Sequence, residues 1–165
     1  MSAFIALIAA AVLAALDQLT KYLIVNSYSF GESVEIIPGL LDFTYIHNNG
    51  AAFGMLQDKS WILLSVSSIV ILLCVALLFK KSLNSKLLTS AITLVMAGGI
   101  GNLIDRIFNN GSVIDFIDVQ FIDFPVFNFA DCCVTIGAGL IILDFIRELV
   151  NDFKKSRKVS EEDNL

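Results

Sequence analysis

Charge is what this chain of 165 residues has least of: only 16% of its residues are Asp, Glu, Lys or Arg, against roughly 25% in ordinary soluble domains. The basic residues are few and seven of the eleven fall in two short runs, so nothing resembles a nucleic-acid-binding surface. Histidine occurs once, at His47, and there is no HExxH, so a zinc centre is poorly supplied and no serine–histidine or cysteine–histidine couple is evident. Three cysteines make an odd set. Cys74 lies in an apolar run and Cys132 and Cys133 are adjacent, giving neither a CxxC pair nor a disulfide framework. They read as small buried apolar residues. The net charge of −5 says little about partners, because part of it comes from the tail residues Glu161, Glu162 and Asp163.

What the chain has instead is long apolar sequence: 56% hydrophobic residues and a mean hydropathy of +0.79. About 20 apolar residues cross a bilayer as a helix. Four runs have that length: 2–25, 61–79, 87–108 and 127–150. The first lacks a basic leader and a cleavage site and contains Asp17 and Lys21, so it reads as a retained helix rather than a signal peptide. Lys80, Lys81 and Lys86 sit between runs two and three, and Lys154, Lys155, Arg157 and Lys158 follow run four, whereas 26–60 and 109–126 hold only Lys59. The positive-inside rule then places both termini in the cytoplasm and the two longer connections outside. Residues 27–60 alternate polar and apolar around Pro38 and Gly39, as in Val34, Ile36, Phe43 and Tyr45, and read as short β-strands. The expectation is an all-α membrane protein: four transmembrane helices with a small extracytoplasmic β-sheet platform. A single membrane-embedded domain spans 1–158, with an outer loop at 109–126 acting as a lid and a disordered tail at 159–165.

Charge within a bilayer is expensive, about 2.5–3.5 kcal/mol per Asp or Lys on insertion scales, so the intramembrane charges carry the information. Asp17 and Lys21 share a helix face, acid first, as a self-neutralising pair that snorkels or as a support for nearby groups. Asn102, Asp105 and Arg106 share a face at the end of run three, after the small-residue stretch Ala97, Gly98, Gly99, Gly101 that permits close helix approach. Asp105 and Arg106 can neutralise each other there. Asn128 suits a helix N-cap, and Asp131 has no basic residue within a turn of it. An unpaired carboxylate at that depth needs a partner from elsewhere, and both Asp115 and Asp118 are candidates that spacing does not separate. Two carboxylates at a low-dielectric site share a proton, which is the dyad of an aspartic hydrolase.

Two other readings compete. Buried carboxylates also serve a small proton-coupled transporter or ion channel, although the charges gather toward one side. A scaffold binding a divalent cation through Asp115, Asp118 and Asp123 is the third, although their spacing is not that of an EF-hand loop.

Five segments in order resemble a known family. They are Asp17-Gln18-Leu19-Thr20-Lys21, Asn48-Asn49-Gly50-Ala51-Ala52-Phe53-Gly54, Gly101-Asn102-Leu103-Ile104-Asp105-Arg106, Val113-Ile114-Asp115-Phe116-Ile117 and Phe127-Asn128-Phe129-Ala130-Asp131. Together they look like the motifs of lipoprotein signal peptidase, the bacterial signal peptidase II. The resemblance implies a catalytic pair Asp115 and Asp131, with Asp118 a bystander. It implies that Asn102, Asp105, Arg106 and Asn128 support the pair, and that Asp17, Lys21 and Asn48 shape the site or steady the outer segment. Gly50 and Gly54 give the platform backbone freedom. The resemblance implies no metal and no organic cofactor. It implies prolipoprotein substrates cut before a lipidated lipobox cysteine in the bacterial cytoplasmic membrane, near its extracytoplasmic face, with membrane lipids and globomycin-type inhibitors as partners. Cys132 and Cys133 depart from the small or hydroxyl residues expected after the last motif.

Overall fold

The computed structural model describes residues 2–50, 59–80 and 85–162. The order is α1 (Ala3–Ser27), β1 (Ser33–Ile37), β2 (Leu41–Asn48), α2 (Ser60–Leu78), α3 (Lys86–Phe108), β3 (Val113–Val119) and α4 (Phe129–Glu162). Ala51, Ala52, Phe53 and Gly54 of the second motif lie outside the described residues, as does Lys81.

All four helices are long and apolar enough to span a membrane. α3 packs against each of the other three, and 44% of its span is buried, against 22% or less for the others. It is therefore the central post, and the outer faces carry exposed Phe4, Ile8, Leu72 and Phe145 as a lipid-facing helix should. Ala6, Ala10, Cys74, Leu78, Ile92, Met96 and Ala97 fill the middle of the bundle. α3 and α4 touch backbone to backbone. A Cβ on Gly98 would strike the carbonyl oxygen of Ala130, and one on Gly137 would lie 2.8 Å from the carbonyl oxygen of Ala91. At the end remote from the sheet, Ser85 caps α3 through Leu88 N–H and donates 2.7 Å to the buried Asp144 of α4.

The sheet is antiparallel, ordered β1-β2-β3. Leu40 N–H donates to the Ile37 carbonyl across Pro38-Gly39, with φ +67° at Gly39, the pattern of a type II turn. The sheet seats on the bundle through Phe116 and Tyr45 against Ile24. Residues 109–126 are not a free lid. Their core is β3, paired with β2 from Leu41↔Val119 to Asn48↔Val113, because Val113, Ile114, Ile117 and Val119 favour extended backbone. The chain enters β3 from α3 through a left-handed turn at Asn110 (φ 52°) and Gly111 (φ 92°), closed by Gly111 N–H donating to the Arg106 carbonyl. The tail also differs from expectation: α4 continues through Glu162 rather than ending near 150. Its Lys, Arg and Glu residues are good helix formers, so polarity there ends the membrane span without ending the helix.

Candidate active site

Asp131 is placed by the start of α4. Asn128 stands at the N-cap, and its Oδ1 accepts from Asp131 N–H at 3.0 Å while Asp131 Oδ2 accepts from Asn128 N–H at 3.1 Å. This reciprocal arrangement is a capping box built from Asn and Asp. The remaining oxygen, Asp131 Oδ1, accepts from Asn102 Nδ2 of α3 at 2.8 Å. One residue earlier, Ala130 N–H donates to Asp17 Oδ1 of α1 at 2.9 Å. Two amides in the first turn of α4, those of Ala130 and Asp131, are thus answered by side chains, as helix starts require.

Asp115 comes from β3. Side chains alternate along a strand, so Asp115 and Asp118, three apart, lie on opposite faces. Asp115 is 1% exposed. Its Oδ1 accepts from Asn128 Nδ2 at 2.6 Å and its Oδ2 from Asn48 Nδ2 at 2.9 Å. Asn48 is oriented by its own turn: Gly50 N–H donates to Asn48 Oδ1, which leaves Nδ2 facing the acid. Asp118 instead accepts from Thr44 within the sheet. Fold topology therefore brings Asp115, and not Asp118, to Asn128 at the start of α4. Burial pushes the Asp115 carboxyl up to about 7, and the nearby Asp131 charge adds to this against the amides of Asn48 and Asn128. Asn128 bridges the pair, with its amide group on Asp115 and its backbone N–H on Asp131.

Asp17 and Lys21 do not snorkel; both are 1% exposed. Lys21 Nζ lies 2.8 Å from Asp17 Oδ2 and 2.8 Å from Asp105 Oδ2. Asp105 is thus paired with Lys21, not with its neighbour Arg106, because α1 packs on the face of α3 that presents Asp105. Arg106 faces the cavity, with Nη1 and Nη2 toward the carbonyls of Asn102 and Gly50 at 3.5 and 3.4 Å and Nε buried without a partner among the described residues. Gly50 contributes its N–H and carbonyl here rather than an unusual backbone angle. Gln18 is a site residue that sequence reasoning misses: its amide reaches Asp105 Oδ1 at 2.9 Å, the Gly101 carbonyl at 3.1 Å and Asp17 Oδ2 at 3.3 Å. The signal for it in the sequence is a polar amide grouped with Asp17, Thr20 and Lys21 in a largely apolar run.

A cavity of about 530 Å³ opens beside the two acids. Asn48, Gly50, Asn102, Arg106, Asp115 and Asp131 line its polar part, and Phe124, Phe127, Val134 and Ile136 its apolar part. It presents a carboxylate pair next to an apolar wall, which suits a water attacking an amide bond in a substrate with a greasy flank. Cys132 also lines it, whereas Cys133 is buried. Asp118 and Asp123 line a separate shallow cavity, so the three acids of the cation-scaffold reading do not converge.

A family model described as signal peptidase (SPase) II matches residues 9–147. The chain belongs to the signal peptidase II family. The lipoprotein signal peptidase of Brevibacillus brevis is 40% identical over 148 residues, covering 90% of this chain and 96% of that protein. That of Shouchella clausii is 42% identical over 153 residues, covering 92% and 99%. A bacterial membrane enzyme structure solved by the in meso method at 2.3 Å resolution superposes with a TM-score of 0.83 at 37% identity, over 88% of this chain and 90% of that one. Membership makes the protein a multi-pass membrane peptidase, and the transporter reading finds no support in these relatives. The bundle agrees: between Lys86 and Asp105 in α3, and between Asp131 and Asp144 in α4, no charged residue marks a relay across the middle.

Proposed function

We propose that the protein cleaves diacylglyceryl-modified prolipoproteins immediately before the lipidated cysteine, using Asp115 and Asp131 as the catalytic pair. The observation that carries this is the convergence of two acids, from β3 and α4, on one cavity through the single side chain of Asn128. Asp115 is the acid that burial keeps protonated near neutrality, so it donates to the scissile carbonyl while Asp131 takes the proton of the attacking water. Asn48, Asn102 and Asn128 donate to the two carboxylates and hold their orientation through the exchange. Gly50 lends its backbone to the cavity wall, and Arg106 offers guanidinium donors to it. The apolar wall takes the signal helix and acyl chains.

The peptidase unit spans residues 1–158. It sits in the bacterial cytoplasmic membrane with both termini cytoplasmic and the site near the extracytoplasmic face, supported by the lysines that gather at the end of the bundle opposite the sheet. Membrane lipids surround the exposed helix faces, and globomycin-type inhibitors occupy the cavity. A gel-shift assay on a lipidated precursor, with and without globomycin, tests the reading. Asp115→Asn and Asp131→Asn should each abolish the shift in protein that still inserts, whereas Asp118→Asn should leave it within about threefold of wild type, because among the described residues Asp118 bonds to Thr44 within the sheet. Normal cleavage by either dyad variant would sink the assignment.

A further inference from the structure

Lys21 is among the largest fully buried side chains of the molecule, yet it does not line the cavity. An ammonium has three protons to donate, and each has an acceptor: Asp17 Oδ2 at 2.8 Å, Asp105 Oδ2 at 2.8 Å and Asn102 Oδ1 at 3.0 Å. Each acceptor leads to the dyad by one further bond. Asp17 Oδ1 accepts Ala130 N–H, the amide just before Asp131. Asp105 Oδ2 accepts Ile114 N–H at 3.0 Å, the amide just before Asp115. Asn102 donates its amide group to Asp131 Oδ1.

We propose that Lys21 is a positioning residue whose ammonium sets the separation and orientation of the Asp115–Asp131 pair, by tying together the two carboxylates that hold the backbone ahead of each acid. The inference rests on the dyad reading above. β3 and α4 belong to different parts of the fold, and the lysine supplies a direct link between their anchors. The third bond adds a direction. A lysine can only donate, so Asn102 must turn its oxygen to Lys21 and its amide group to Asp131. Asn128 Nδ2 also donates to Asn102 Oδ1, at 3.1 Å, which favours the same orientation. Neutralisation alone does not explain this arrangement, since pairing with Asp17 and Asp105 needs no contact with Asn102.

The test uses two variants of the full chain in detergent, each compared with wild type and with Asp131→Asn. Lys21→Arg keeps the charge but replaces three divergent donors with a planar fork. Lys21→Met combined with Asp105→Asn removes a cation and an anion together, so the buried charge balance is kept while the link is cut. Thermal unfolding identifies the folded variants, and kcat and KM on a lipidated precursor are measured for each. Because Lys21 lies off the cavity, a folded variant should keep KM within about threefold and lose kcat by about 100-fold, the penalty of displacing reacting groups by about 1 Å. If Asp131→Asn is inactive while a folded Lys21 variant keeps kcat within about threefold of wild type, the positioning role is overturned and the dyad stands. If neither Lys21 variant folds, Lys21 serves stability alone and the proposal is likewise overturned. Normal cleavage by Asp131→Asn would defeat the dyad reading instead.

Discussion

Asp115→Asn should remove activity and, above neutral pH, make the folded protein more stable. Burial and the Asp131 charge raise the Asp115 carboxyl from 3.8 to about 7. The folded chain therefore binds this proton more tightly than the unfolded chain, so stability falls as pH rises between those two values. At about 1.4 kcal/mol per pH unit, the wild-type acid costs about 4 kcal/mol by pH 8 and about 2 kcal/mol at pH 5. Asparagine removes that cost but brings one of its own. Asn48 Nδ2 and Asn128 Nδ2 both donate to the carboxylate, and an amide offers only one oxygen, so one donor is stranded at about 1–3 kcal/mol. The net expectation is a gain of about 1–3 kcal/mol at pH 8 and roughly no change at pH 5. For a chain of this size that is a rise in Tm of about 2–10 °C at pH 8 only. Thermal unfolding in detergent at the two pH values measures it. An equal Tm change at both would refute the buried-proton reasoning, and a fall confined to pH 8 would reverse its sign.

Turnover of a lipidated precursor should decline as pH climbs past about 7, where Asp115 gives up its proton; a kcat–pH profile flat to about pH 9 would contradict a protonated Asp115. Gly98→Ala, whose Cβ would press on the Ala130 carbonyl oxygen and on Val134, should cost about 1–3 kcal/mol in thermal unfolding. Gly139→Ala, with open space around it, should be neutral or slightly stabilising in the same assay. Ser85→Ala removes the cap of α3 and the hydrogen bond to Asp144, and should lower stability by about 1–3 kcal/mol while leaving kcat of the folded fraction unchanged.

The helices were legible because spanning is a local property. An uncharged apolar run of sufficient length must satisfy its backbone internally, whatever it packs against, and α1, α2 and α3 lie within two residues of their expected bounds. β3 was not legible. Val113-Ile114-Asp115-Phe116-Ile117-Asp118-Val119 repeats its acids every three residues, so neither a helical nor a strand period stands out. Pairing with β2 settles it. The far end of α4 differs for the opposite reason: its charged composition suggests disorder, but helix propensity prevails.

For the site, the sequence by itself determined which residues are out of place: a buried-depth charge is costly wherever it sits, so Asp17, Lys21, Asp105, Arg106 and Asp131 declare themselves one at a time. Partnership was decided only in three dimensions. Asp105 is adjacent to Arg106 in the chain, yet it bonds to Lys21 of another helix. Asp115 and Asp118 are equivalent by spacing, yet strand alternation turns one to Asn128 and the other to Thr44. Hydrogen bonds of about 3 Å depend on which faces meet, and that follows from packing α1, α3, α4 and the sheet together rather than from the order of residues.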